Sequence, residues 1–135
     1  MITVRHEHDD HFHIDIRHHG VVVDQPRDNG GEDLGPTPTE LFVASLAACT
    51  AHYARRFLQR HAIPTEGLLV ACDFDMSAEP PARVTQISVH VTLPASFPEE
   101  RRDALQRVID RCTVKNSLAM PPTVVTDVKI ERKAA

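Results

Sequence analysis

The spacing of apolar positions changes along the chain from a period of two to a helical period and back. These changes mark out its elements. Ile2 to Asp9 and His11 to His18 read as two strands of a hairpin turning at Asp9-Asp10, with Phe12, Ile14 and Ile16 alternating. Gly20 introduces Val21-Val22-Val23, a third β-branched strand. Asp24 to Gly35 is polar, holds Pro26, Asn29, Gly30 and Gly31, and reads as a loop. Gly67 to Ser77 alternates strictly, with Val70, Cys72, Phe74 and Met76 on one face. Arg83 to Leu93 follows with Ile87, Val89, Val91 and Leu93 inward, and the turn at Glu79 to Ala82 makes the pair a hairpin. Ser96 and Glu99 predict a capping box for a second helix running to about Arg111, with Leu105, Val108, Ile109 and Cys112 at helical spacing. Thr113 is then expected to cap a short helical turn that ends before Pro121-Pro122. Thr123 to Glu131 predicts a last strand, and Lys133 to Ala135 a frayed tail.

Between the third strand and Pro64 lies the stretch around which the rest is arranged, Gly35 to His61. Thr37 predicts an N-cap, Pro38 suits the first helical position, and Glu40 completes a capping box. Phe42, Leu46, Cys49 and Tyr53 are spaced to share a face, and Leu41, Ala44, Ala48 and Ala51 widen it. A helix apolar over so much of its circumference is expected to be central and buried. Its small residues would let another element approach closely.

The order β-β-β-α-β-β-α-β, with strands in hairpins, predicts an α+β fold with mainly antiparallel sheet. At 135 residues, residues 1–135 are expected to form a single domain. Net charge is −4 and the cations are dispersed, which leaves no electrostatic footprint for nucleic acid. No apolar run is long enough to span a membrane, and the N-terminus has no signal-like core, so a cytoplasmic protein is expected. The long helix, too apolar for one chain to cover, suggests a dimer.

Two sets of residues could carry chemistry. A two-residue turn at Asp9-Asp10 would pair His8 with His11 and His6 with His13, placing four imidazoles on one face as a candidate metal site; a solvated polar face is the alternative. The three cysteines, Cys49, Cys72 and Cys112, form no CxxC motif, and their odd number argues against a disulfide scaffold. On composition alone Cys49 reads as a small buried hydrophobe, and so does Cys72. Cys112 would lie at a helix N-terminus beside Arg111 and Lys115, and both effects favour thiolate.

The stretch Gly35-Pro-Thr-Pro-Thr-Glu-Leu-Phe-Val-Ala-Ser-Leu-Ala-Ala-Cys49 resembles the first cysteine motif of the OsmC/Ohr family, the osmotically inducible and organic hydroperoxide resistance proteins. Cys112-Thr-Val-Lys-Asn-Ser-Leu118 is similar to the second. With the matching order of elements, the resemblance covers nearly the whole chain. It implies an intertwined homodimer with sites at the subunit interface and no cofactor. It also implies that Cys49 is the peroxidatic thiolate and Cys112 the resolving thiol, acting on organic hydroperoxides and reset by an external dithiol, some members using lipoyl-type dithiols. One position departs from the peroxidase pattern. Hydroperoxide-resistance members carry a Glu directly after the helix-start Pro, paired with an Arg that orients the thiolate. Here Thr39 follows Pro38, Glu40 stands one position later, and Arg5 and Arg17 are the candidate arginines. The resemblance is therefore to a less characterised branch. Three readings follow: a cysteine peroxidase, a non-enzymatic redox-responsive or small-ligand-binding dimer, and a metal-binding module on His6, His8, His11 and His13.

Overall fold

The long helix begins where its capping sequence predicts. In the computed structural model, which describes residues 1–132, Pro38–Arg60 form α1. Thr37 Oγ1 accepts from the Glu40 N–H at 3.1 Å, and Glu40 Oε1 accepts from the Thr37 N–H at 2.9 Å. Two donors that the first turn leaves orphaned are thereby satisfied. The buried stripe is Val43, Leu46, Thr50, Ala54, Phe57 and Leu58, one position round from the face predicted through Phe42, Cys49 and Tyr53. Phe42 is 43% exposed, and Ala44, Ser45 and Ala48 are exposed with it. A single chain covers one side of this apolar helix and leaves the other bare.

Before α1 come β1 (Ile2–His8), β2 (His11–Ile16) and β3 (His19–Val23), in one antiparallel sheet of that order. After it β4 (Leu69–Met76) and β5 (Val84–Thr92) pair antiparallel, followed by α2 (Arg102–Ile109) and α3 (Thr113–Ala119). The α+β class and the two hairpins are as the sequence predicts. α1 packs on β4, β5, α2 and α3, while the first sheet makes no comparable contact with it. Ala54, Phe57, Leu58 and Leu105 form the core, edged by Ile63, Leu68, Leu93 and Phe97. Burying a side chain such as Leu58 contributes about 1.5–3 kcal/mol.

Several local expectations are corrected. Residues 121–132 form no strand, so the strand predicted at Thr123 to Glu131 has no ladder within the chain. Val124, Val125, Val128 and Ile130 are 70–89% exposed. The alternating apolar pattern is there, but no edge of either sheet pairs with it. The tail expected at 133–135 lies outside the described residues. The second helix is entered through a 3-10 turn at Glu99–Arg101 with Pro98 before it and no side-chain cap. Glu99 does not box with Ser96; it holds Arg102 through two hydrogen bonds of 2.7 and 2.8 Å. The cap of α3 is Cys112, not Thr113.

The first hairpin also departs in register. His8 faces His11 as predicted, but a bulge between His6 and His8 puts His6 opposite Phe12 and Arg5 opposite His13. The bulge places Ile2 and Val4 on the face of Ile14 and Ile16, with the His6 ring beside Phe12, so the aliphatic residues of β1 and β2 share one face. That gain explains why the simple two-residue register is not adopted.

Candidate active site

Cys49 and Cys112 come together. Cys49 is half-buried on α1 and Cys112 is fully buried at the N-cap of α3. The Cys49 thiol and the Thr50 side chain both stand close enough to the Cys112 sulfur to act on its ionisation. The Lys115 N–H donates to Cys112 Sγ at 3.4 Å. The corner around this pair is braced. Tyr53 Oη and Thr113 Oγ1 lie 3.1 Å apart, which ties α1 to α3. Asn116 Nδ2 donates to the Arg111 carbonyl at 3.1 Å, and Lys115 Nζ holds Asp110 Oδ1 at 2.6 Å.

The electrostatics of Cys112 reverse the expectation from sequence. Burial pushes its thiol above the ordinary value, and the neighbouring Cys49 adds to this, while the Lys115 N–H and the Thr50 side chain pull the other way without prevailing. The cations that were to favour thiolate are engaged or outside: Lys115 pairs with Asp110, and Arg111 is exposed. Cys112 is therefore held as a protonated thiol. Cys72 is half-buried on β4 opposite Val89, its thiol raised by burial and by Asp73.

A cavity of about 380 Å³ lies beside the residues that flank the pair, Thr50 and Lys115, without being lined by either cysteine. Its floor is the apolar row Ile87, Val89, Val91 and Leu93 of β5, with Leu46 and Leu105; Arg102, Asp110 and Lys115 stand at its rim. Thr50 belongs to its wall and also stands next to Cys112.

The supporting candidates are not gathered on this site. Glu40 is committed to the capping box. Arg5 is paired with Asp15 and Glu7 on the polar face of the first sheet. Arg17 stands exposed in the β2–β3 turn at a φ of 55°. The four histidines are separated too. His6 packs on Phe12, His13 lies beside Asp15 at 3.3 Å, and His8 and His11 meet at the turn.

Sequence reasoning missed Asp24. Its fully buried carboxylate accepts from the N–H groups of Gln25, Glu32 and Leu34 at 2.7, 3.2 and 3.2 Å. Burial works against its ionisation, yet the three donors outweigh burial and hold the carboxyl below its usual range. The loop must close tightly around it. A Cβ at Gly31 would strike the Gln25 carbonyl, and one at Gly35 the Val22 carbonyl. The available signal was an acid placed directly after a β-branched run and before paired glycines.

A family model described as OsmC-like protein matches residues 30–127, which includes Asp24's loop from Gly30 onward, α1 and both cysteines. The chain belongs to the OsmC-like protein family. Solved structures agree on the fold. An OsmC-like protein from Mycoplasma pneumoniae is similar at 20% identity and a TM-score of 0.72, covering 88% of this chain and 86% of that one. A Psychrobacter arcticus protein, assigned by inference to the osmotic stress induced and detoxification response, is similar at 21% identity and a TM-score of 0.78, over 86% and 85% of the two chains. A Legionella pneumophila organic hydroperoxide resistance protein OsmC gives 19% identity and a TM-score of 0.61, over 87% and 88%. No curated protein sequence matches the chain. Among the described residues of this OsmC-like chain, no helix is long and apolar enough to cross a membrane.

Proposed function

We propose that this OsmC-like protein is a thiol-dependent peroxidase of organic hydroperoxides in which Cys49 is peroxidatic and Cys112 resolving. The observation that carries the reading is the contact between a half-exposed thiol and a buried, protonated one. A peroxide arriving from solvent meets Cys49 first. The Cys49 thiolate attacks the terminal oxygen of ROOH, the O–O bond breaks, and RO⁻ leaves and takes a proton as ROH. The Cys49 sulfenic acid then meets Cys112 already in place. Cys112 supplies its sulfur and its proton, water leaves, and a disulfide forms. An external dithiol, lipoyl-type in some relatives, restores both thiols by exchange and leaves as its own disulfide. The apolar cavity against Thr50 supports an alkyl or aryl R group, and its charged rim would tolerate a polar end.

The working unit in this proposal is a homodimer in the cytoplasm. Among the apolar surfaces of one chain that lack cover are Ile2 and Val4 on the first sheet, Phe42 on α1, and the valines and Ile130 of residues 124–130. A second copy would bury them together, and residues 123–131 would find their sheet edge there.

A second reading, a redox-responsive or ligand-binding dimer without efficient turnover, is favoured by the engagement of Glu40 in its cap and of Arg5 with Asp15. The discriminating experiment is single-turnover oxidation of the reduced protein by cumene hydroperoxide and by hydrogen peroxide, with disulfide mapping. Rapid thiol loss, faster with the organic peroxide and giving a Cys49–Cys112 link, is expected of the peroxidase. Oxidation no faster than that of a free thiol would leave the second reading.

A further inference from the structure

The register of the first hairpin dissolves the four-histidine face but builds a different cluster at its turn. The His8 imidazole nitrogen Nε2 lies 2.8 Å from Glu32 Oε1, although Glu32 belongs to the loop before α1. Asp9, the next residue in the turn, brings its carboxylate to the same place, and the three donor atoms lie within 4.8 Å of one another. All three side chains are exposed, so they can rotate to close on an ion at roughly 2.0–2.2 Å without moving the backbone.

Three features hold this cluster ready. Glu32 is fixed at its backbone, since its N–H donates to the buried Asp24 carboxylate at 3.2 Å. Asp9 has a φ of 46°, set by the turn that pairs His8 with His11. The His8 ring is oriented from behind by His11: their Nδ1 atoms are 3.4 Å apart and the rings meet edge to face at 4.8 Å. Engaging Nδ1 leaves Nε2 to face the carboxylates, which is how metal-bound imidazoles are commonly fixed.

We infer that His8, Asp9 and Glu32 form a surface site for a divalent first-row transition ion such as zinc, with His11 as the positioning residue. One imidazole nitrogen and two carboxylates suit such ions, and a soft monovalent ion would be a poor match. The site is independent of the cysteine pair. A bound ion would clamp the β1–β2 turn to the loop that leads into α1, adding a link between the first sheet and the rest of the chain.

The test uses full-length protein without an affinity tag, stripped of metal and titrated with zinc chloride by calorimetry. One equivalent is expected to bind. His8→Ala and Glu32→Gln should each weaken binding at least about tenfold, and His11→Ala by a smaller factor, with melting temperatures of the metal-free variants unchanged. His18→Ala/His19→Ala, which removes the other adjacent imidazole pair, should bind as the parent does. Cobalt loading should give ligand-field bands without a thiolate charge-transfer band. Absence of zinc binding at millimolar metal, binding insensitive to both His8→Ala and Glu32→Gln, or a thiolate band with cobalt would each overturn the site.

Discussion

The buried Cys112 thiol rests against Cys49, although the chain between them runs through the rest of α1, the β4–β5 hairpin and α2. Hydroperoxide treatment should therefore give one intramolecular disulfide, Cys49–Cys112, with Cys72 left as a free thiol by peptide mapping. Cys49→Ser should abolish rapid peroxide consumption. Cys112→Ser should consume a single equivalent and then accumulate sulfenic or sulfinic acid at Cys49.

Burial, the largest influence on Cys112, should be readable as pH dependence. In a Cys49→Ser/Cys72→Ser background, alkylation by iodoacetamide should be slower than that of a free thiol at neutral pH. It should accelerate only above the ordinary cysteine value of about 8.5. A thiol raised on folding contributes stability fully below its unfolded value and loses it as pH rises through the folded one. Thermal melts should accordingly decline on the alkaline side.

Asp24 should act in the opposite sense. Its carboxyl is depressed on folding, so its contribution is present above the unfolded carboxylate value of about 3.9 and is lost as pH falls through the folded one. Asp24→Asn turns an amide donor toward N–H donors already present. It should lower the melting temperature at neutral pH and flatten the acid limb of melting temperature against pH. Melts at neutral and acidic pH check both. Because Glu32 is tied to Asp24, the same variant should weaken zinc binding.

Thr37→Ala removes one arm of the α1 cap and should destabilise the protein by about 1 kcal/mol in urea unfolding. Glu40→Gln keeps a capping side chain and should leave both stability and single-turnover peroxide reduction near the parent values. A collapse of turnover with stability intact would place Glu40 in the chemistry.

Deleting residues 123–135 removes the exposed apolar segment that finds no edge in its own chain. Light scattering should show the full-length chain as a dimer and the truncated one shifted to monomer. A dimer of unchanged stability would mean that the first sheet and α1 carry the association alone.

The helix and both hairpins were legible because their signals are local. A capping box, a proline stop and clean alternation act within a few residues, and Thr37, Pro64 and the run Val70 to Met76 each stand where they predict. The two cysteine motifs were legible through resemblance; the residues alone set Cys112 above Cys72, by its helix N-terminus and neighbouring cations, and gave Cys49 no such priority. What failed in the sequence reading was a choice between competing partners. The His6 to His13 register looked optimal for a two-residue turn, but the apolar match of Ile2 and Val4 to Ile14 and Ile16 decided it and required a bulge. Ser96 and Glu99 formed a valid capping pattern, yet Arg102 offered Glu99 a charged partner one turn on.

By itself the sequence determined the order of elements from the first hairpin to α2, the α+β class and which three sulfurs were available, since period, caps and breakers are written in neighbouring residues. Only the tertiary structure decided that Cys112 meets Cys49, that Asp24 is the hub of its loop, and that His8 faces Glu32. Each is a contact between segments far apart in the chain, made when burial of α1 fixes the surrounding elements and buried polar groups must find their partners. The same requirement turned Cys112 from an expected thiolate into a thiol: a helix N-terminus can be read from sequence, whereas the desolvation that outweighs it exists only once the chain has closed over the sulfur.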